Sequence, residues 1–248
     1  MKVILVGYGR MGKMIEELLA VRTDVEILGA VSPGLYESPW DVPGKPDAII
    51  DFSYPGNLEN TLARAEDAAS AVILGTTGLT AEQVERVRAA ARRVPVVFDA
   101  NFSLGVAVLR KALAQVGPLL LKCGFDAEIV ETHHNRKADA PSGTAKALLR
   151  AIDPAGDYAP VYGREGFTGA RGREIGIHAV RGGTVAGEHR ALFFGEDETL
   201  EFRHSAASRR IFAAGAVRAL DFAVGRAPEL YRVDDVLGLN DMQGGTDQ

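Results

Sequence analysis

The amino-terminal stretch constrains the fold more than any other. A continuous apolar run, Val3-Ile4-Leu5-Val6, stops at Gly7-Tyr8-Gly9-Arg10-Met11-Gly12, after which Met11, Met14, Ile15, Leu18 and Leu19 recur at helical spacing. A buried strand, a G-x-G-x-x-G turn and an amphipathic helix form the opening unit of a doubly wound parallel sheet. The first glycine permits the tight turn, the second lets backbone approach a pyrophosphate, and the third lets helix pack on strand. The helix N-terminus adds unpaired N–H groups and the positive end of its dipole. Gly7, Gly9, Arg10, Met11 and Gly12 are therefore candidate dinucleotide ligands. In a chain with 28 glycines, the spacing alone would fit an ordinary α/β turn equally well. The flanking strand and helix give it meaning.

The next hundred residues repeat the alternation. Val25 to Val31, Ala48 to Phe52, Ala71 to Leu74 and Val96 to Phe98 read as further strands, giving five parallel strands in all. Helices are expected from Leu58 to Ala69 and, behind an N-cap at Thr80, to about Arg93. Ser32 to Pro46 contains four prolines and is read as loop. After Asn101 the pattern changes. A helix from about Gly105 to Leu121 precedes a strand at Ala127 to Glu131, a polar run to Asp139 and a helix opened by Ser142. Glycine-separated strands follow at Glu174 to Val180, Val185 to Leu192 and Thr199 to His204. The expected fold is α/β: an N-terminal Rossmann-like doubly wound domain over residues 1–104, and a second α+β domain with a mixed or antiparallel sheet over 105–213. The segment 214–248 is expected to return to the first domain.

Composition narrows the function. The hydrophobic fraction of 46% and charged fraction of 25% are those of an ordinary globular protein. Cys123 is the only cysteine, so no internal disulfide can form, which fits a reducing, cytoplasmic setting. No apolar run of membrane-spanning length is read, so no membrane partner or signal peptide is expected. A net charge of −5 argues against general nucleic-acid binding.

The fingerprint calls for an acidic residue at the end of the second strand, where it holds a ribose 2′-hydroxyl. That place falls near Ser32. Without the acid, a 2′-phosphate is not repelled, and Arg10 and Lys13 add positive charge beside the loop. NADPH is therefore as admissible as NADH.

All five histidines lie in the second half, two of them adjacent at His133 and His134, with Lys137 close behind. Histidine suits proton transfer near neutral pH, and Lys137 offers a fixed charge to an anionic substrate. Ser142 is a good N-cap, which places Gly143 and Thr144 in a first helical turn where N–H groups can receive a carboxylate or phosphate. A solvated surface loop is the plain alternative. A zinc site is disfavoured because no H-x-x-x-H or C-x-x-C spacing accompanies the pair, and no metal is expected. Cys123, in a helix-to-strand connection, reads as an inert thiol.

From Glu131 to Ala145 the chain matches E-x-H-H-x-x-K-x-D-x-P-S-G-T-A at every defined position, and so resembles the 4-hydroxy-tetrahydrodipicolinate reductase (dihydrodipicolinate reductase) family. Gly75-Thr76-Thr77-Gly78, Asp51-Phe52-Ser53, Ala100 to Val106, Arg181-Gly182-Gly183, Gly187-Glu188-His189 and Ala207-Ser208-Arg209 are similar to it as well. The resemblance implies an NAD(P)H-dependent oxidoreductase of the diaminopimelate route to lysine, acting on a small dicarboxylate and assembled as a homotetramer through its second-domain sheets. It implies that Ser32, Gly75, Thr76, Thr77, Ala100, Asn101 and Phe102 join the glycine loop around the cofactor. It makes His133 the general acid and Lys137 its catalytic companion, with His134, Lys137, Ser142, Gly143 and Thr144 holding the substrate carboxylates. Another two-domain nicotinamide dehydrogenase and a dinucleotide sensor without turnover are the competing readings.

Overall fold

The computed structural model describes residues 1–240. The chain divides into two compact units, one formed by Met1–Leu104 together with the chain from Arg210 onward, the other by Gly105–Arg209. The sequence-based boundary at 213 falls inside the helix that begins at Arg210. That helix belongs whole to the first unit because its Ala213, Ala216, Ala219, Leu220 and Ala223 are buried there. The last residues of the expected returning segment, 241–248, lie outside the described residues.

In the first unit, β1 (Lys2–Val6), β2 (Glu26–Val31), β3 (Ala48–Asp51), β4 (Ala71–Leu74) and β5 (Val96–Phe98) are the five parallel strands expected. A sixth strand joins the edge, because the short β11 (Leu230–Tyr231) pairs in parallel with β5 and gives the order β11-β5-β4-β3-β1-β2. Two residues leave no periodicity to read, which is why the sequence did not reveal it. Helices α1 (Arg10–Leu19), α2 (Leu58–Ala68), α3 (Ala81–Ala90) and α6 (Arg210–Ala223) cover the sheet. Residues 32–46 contain no helix or strand, only turns and an isolated Val31–Tyr36 bridge. Strands β3 and β4 are buried along their whole length, as parallel strands covered on both faces must be.

In the second unit, β6 (Asp126–His133) lies at the centre of a mixed sheet. It pairs antiparallel with β9 (Gly187–Phe194) and parallel with β8 (Glu174–Arg181). β10 (Thr199–Ala206) and the short β7 (Ala159–Val161) form the edges. One face, with Ala127, Ile129, Ile175, Ile177, Ala191 and Phe193, packs against α4 (Leu104–Lys122) and α5 (Gly143–Ile152). By length and composition alone α4 could cross a membrane, against the expectation that no apolar run reaches that length. Its Leu109, Leu113 and Leu121 instead supply the apolar stripe that this core needs, while Arg110 and Lys111 interrupt its length.

Candidate active site

The first and third glycines of the loop do what their spacing requires. Gly7 has φ of +89°, and a Cβ there would lie 2.7 Å from the Phe52 carbonyl oxygen. A Cβ on Gly12 would lie 2.1 Å from the Gly7 carbonyl oxygen, so only glycine lets α1 sit this close to the turn. Gly9 differs, since a Cβ there would meet nothing within 4 Å. It caps α1 without a side-chain hydrogen bond, and the first turn carries no acidic residue. Together these leave open space beside Gly9 at the positive, uncapped end of α1, a fit for a dinucleotide pyrophosphate. Arg10 opens the helix at the surface, with Met11 beside it. Ser32 directly follows β2, and its N–H is held by the Tyr36 carbonyl at 2.9 Å.

The neighbouring loops are organised from below by Asp51, which is fully buried. Its carboxylate accepts from Thr76 Oγ1 at 2.7 Å, Thr61 Oγ1 at 2.7 Å and both the hydroxyl (2.6 Å) and N–H (3.0 Å) of Ser53. Gly75 is small because the Phe52 ring occupies the place of its side chain, 2.3 Å from a would-be Cβ. Thr76 is therefore buried with its hydroxyl committed, while Thr77 is exposed. Phe102 is buried too, its ring 5.2 Å from that of Phe52. The side chains of Thr76 and Phe102 thus lie beneath the surface. Ala100 and Asn101 remain at the surface or partly so, and the Asn101 Oδ1 accepts from the Ser103 N–H at 2.8 Å.

In the second unit the motif residues gather where β6 ends and α5 begins. The polar run is shorter than the sequence suggests, because β6 extends through His133. Strand alternation turns Glu131 and His133 to the helix-covered face, with Glu131 opposite His189 and His133 opposite Arg181. The Glu131 carboxylate is wholly buried. It accepts from both Arg181 Nη atoms at 2.8 Å, from the Ser142 N–H at 2.9 Å, and meets His133 Nδ1 at 2.5 Å. Burial alone would raise its pKa, but Arg181, His133 and the Ser142 N–H together hold it below the ordinary carboxylate value.

Ser142 caps α5 by accepting from the Ala145 N–H at 3.1 Å, and its hydroxyl lies 3.2 Å from His189 Nε2. His189 is 4% exposed. Burial, reinforced by nearby His133, pushes it down to about 4, so it is neutral near pH 7. Its ring stands edge-on to that of His133 with centroids 5.2 Å apart. Burial and the positive charge of Arg209 likewise lower His134, whose Nε2 accepts from Arg209 Nη2 at 3.2 Å. Lys137 Nζ lies 2.8 Å from Asp139, and that contact lowers the Asp139 pKa. Arg181 also donates to the Asp139 carbonyl at 2.7 Å. Above Gly143 there is open space.

His133, His134, Lys137, Ser142, Gly143 and Thr144 therefore lie within one short span of the second unit. Arg181, His189 and Arg209, to which no role is assigned from sequence, join them from β8, β9 and the end of the β10–α6 connection. Only the parallel pairing of β6 with β8 brings Arg181 to Glu131, and pairing partners fifty residues apart leave no local signal.

Comparison with known proteins bears on both units. The chain matches the family model described as dihydrodipicolinate reductase, N-terminus, over residues 1–102, and the one described as dihydrodipicolinate reductase, C-terminus, over 105–237. It is 40% identical over 242 residues to the 4-hydroxy-tetrahydrodipicolinate reductase of Exiguobacterium sp. (strain ATCC BAA-1283 / AT1b), covering 95% of each chain. With the enzyme of that name from Brachyspira hyodysenteriae it shares 38% over 239 residues, 96% of this chain and all (100%) of the relative. Among solved structures it is similar to a dipicolinate-bound dihydrodipicolinate reductase from Paenisporosarcina sp. TG-14, with a TM-score of 0.75 and 23% identity over 93% of this chain and 97% of that one. A probable dehydrogenase from Thermotoga maritima shares the fold at a TM-score of 0.58 and 12% identity, over 95% and 92% of the two chains.

Proposed function

This chain belongs to the dihydrodipicolinate reductase family, and on that premise we propose how its residues divide the work of the family's reaction. The reaction is the NAD(P)H-dependent reduction of 4-hydroxy-tetrahydrodipicolinate, by way of dihydrodipicolinate, to tetrahydrodipicolinate in the diaminopimelate route to lysine. When bound, the reduced nicotinamide supplies a hydride to ring C4.

Gly7, Gly9, Arg10, Met11 and Gly12 receive the diphosphate at the start of α1, and Gly75, Thr77, Ala100 and Asn101 border the rest of the cofactor, with Thr76 and Phe102 contributing backbone and support. Ser32 stands where the adenosine ribose is read, and since it is neither acidic nor bulky, NADPH and NADH are both accommodated. His133 gives a proton to the ring carbon next to the one reduced. His134, Lys137 and the first turn of α5 at Ser142, Gly143 and Thr144 hold the two carboxylates. Lys137 exchanges its Asp139 partner for substrate as the ring arrives. The observation that carries this reading is the convergence of an acid-capable histidine, a lysine and an open helix start within Glu131 to Ala145. The dipicolinate in the Paenisporosarcina structure is a planar ring with two carboxylates, the chemistry such a pocket would grip.

Four copies assemble through the sheet face of the second unit that no helix of that unit covers. Val130, Val180, Leu192 and Phe194 lie on it, the Arg190–Glu201 and Arg203–Glu188 ion pairs link β9 to β10 on the same face, and Phe194 is 40% exposed. As a biosynthetic enzyme drawing on reduced nicotinamide, the protein works in the cytoplasm.

The test is oxidation of NADPH by the purified chain supplied with the fresh condensation product of aspartate semialdehyde and pyruvate. Turnover is expected, and Lys137→Ala should lower kcat and raise KM for the ring compound together, by tenfold or more if a charge-assisted contact of about 1.5–3 kcal/mol is lost. Unchanged constants in Lys137→Ala would remove the lysine from the anion pocket.

A further inference from the structure

We infer that Glu131, clamped by Arg181, is a positioning residue that fixes the tautomer and direction of the His133 imidazole and ties it to the start of α5; this rests on the role proposed for His133. The geometry leaves the carboxylate little choice. Arg181 is an obligate donor through both Nη atoms, and the Ser142 N–H is another. All three keep Glu131 ionised and accepting, so the fourth contact, at 2.5 Å, has His133 Nδ1 as donor. Nδ1 is then the nitrogen that keeps its proton, and Nε2 is the one that gives a proton up and takes it back.

A separate observation concerns Nε2. The residue next to it is Gly187, and a methyl group on that glycine would lie 3.1 Å from His133 Nε2. A side chain there would crowd the nitrogen that has to meet substrate. The same carboxylate also holds Ser142, whose N–H it accepts and whose hydroxyl caps α5. Its partner Arg181 pins the loop that carries Lys137, through the Asp139 carbonyl. One buried charge therefore sets the proton donor, the helix start and the lysine loop in a single frame. Replacing it with an amide would remove the charge and allow the imidazole to adopt the other tautomer, a change that in other histidine–carboxylate pairs costs several orders of magnitude in turnover.

The experiment uses the full-length protein. Nitrogen-15 NMR of the imidazoles, with His133 assigned by His133→Gln, is expected to show Nδ1 protonated in the neutral His133 ring. Glu131→Gln is expected to lower kcat by roughly 10²-fold or more, while the dissociation constant for NADPH stays within about twofold, because no residue of the glycine loop is touched. Glu131→Asp, which keeps the charge, should recover part of that loss. Two results would overturn the inference: a neutral wild-type ring protonated at Nε2, or a folded Glu131→Gln protein with kcat within threefold of wild type while His133→Gln is inactive. If His133→Gln itself retained full kcat, the proposed acid would fail, a failure separate from that of its positioning. Should Glu131→Gln not fold, the wild-type tautomer still decides.

Discussion

The glycine loop offers a prediction that separates holding a ligand from holding the fold. Gly9 and Gly12 sit three residues apart, yet a methyl group added to each meets opposite surroundings. On Gly9, at φ −83° and ψ −154°, it meets nothing within 4 Å. Stability in Gly9→Ala should change by no more than about 1 kcal/mol, because a slightly poorer N-cap is offset by a less flexible unfolded chain. On the proposed function the methyl would, however, occupy the space a diphosphate enters. Overpacking of that kind costs about 1–3 kcal/mol, so the dissociation constant for NADPH should rise roughly 5- to 150-fold. On Gly12 the methyl lies 2.1 Å from the Gly7 carbonyl oxygen, where ordinary carbon–oxygen contact is about 3.3 Å. Helix α1 must back away by about 1 Å. A cost of about 1–3 kcal/mol there lowers Tm by roughly 3 to 10 °C for a chain of this length. Calorimetric titration with NADPH and thermal melts of both variants make the comparison. The reasoning is refuted if Gly9→Ala binds NADPH as tightly as wild type, or if it loses as much Tm as Gly12→Ala.

Further predictions concern charge. His189 stays neutral in the folded protein down to about pH 4, whereas an unfolded histidine takes up a proton below about pH 6.5. The unfolded state then binds more protons, so stability should fall as pH drops from about 6.5 to about 4, by up to roughly 3 kcal/mol. His189→Asn should flatten that slope in denaturant midpoints measured across the range, leaving what the lowered His134 and His204 contribute, and superimposable slopes would count against it. Ser32→Asp should repel a 2′-phosphate, lowering the ratio of kcat/KM for NADPH to that for NADH about fivefold or more, on about 1 kcal/mol for two charges near 4 Å in water. An unchanged ratio would mean that Ser32 does not face the ribose.

Legibility in the sequence followed the range of the interactions. The five parallel strands, the loop over 32–46 and the α5 cap at Ser142 were readable because each depends on residues close in sequence: apolar runs, prolines, a serine before a helix. The motif from Glu131 to Ala145 was equally visible. Its links to Arg181 and His189 were not. Arg181 reaches Glu131 because β8 lies parallel beside β6, and His189 arrives from β9 in the antiparallel register. Both stand in segments similar to the family, Arg181-Gly182-Gly183 and Gly187-Glu188-His189, but nothing local ties either residue to Glu131 or Ser142. Thr76 and Phe102 show the opposite case, where the motif was legible but the burial was not. Asp51 takes the Thr76 hydroxyl, and the Phe52 ring takes the face of Phe102, so both act from beneath the surface they help form.

The central claim is that His133 delivers the proton in a nicotinamide-dependent reduction. Its most direct test is kcat of His133→Gln for NADPH oxidation with freshly generated 4-hydroxy-tetrahydrodipicolinate, measured beside wild type and paired with NADPH titration of both proteins. The account predicts kcat lower by roughly 10²–10⁴-fold with NADPH affinity unchanged. A wild-type protein that binds NADPH but never oxidises it, or a His133→Gln protein that turns over at the wild-type rate, would contradict it.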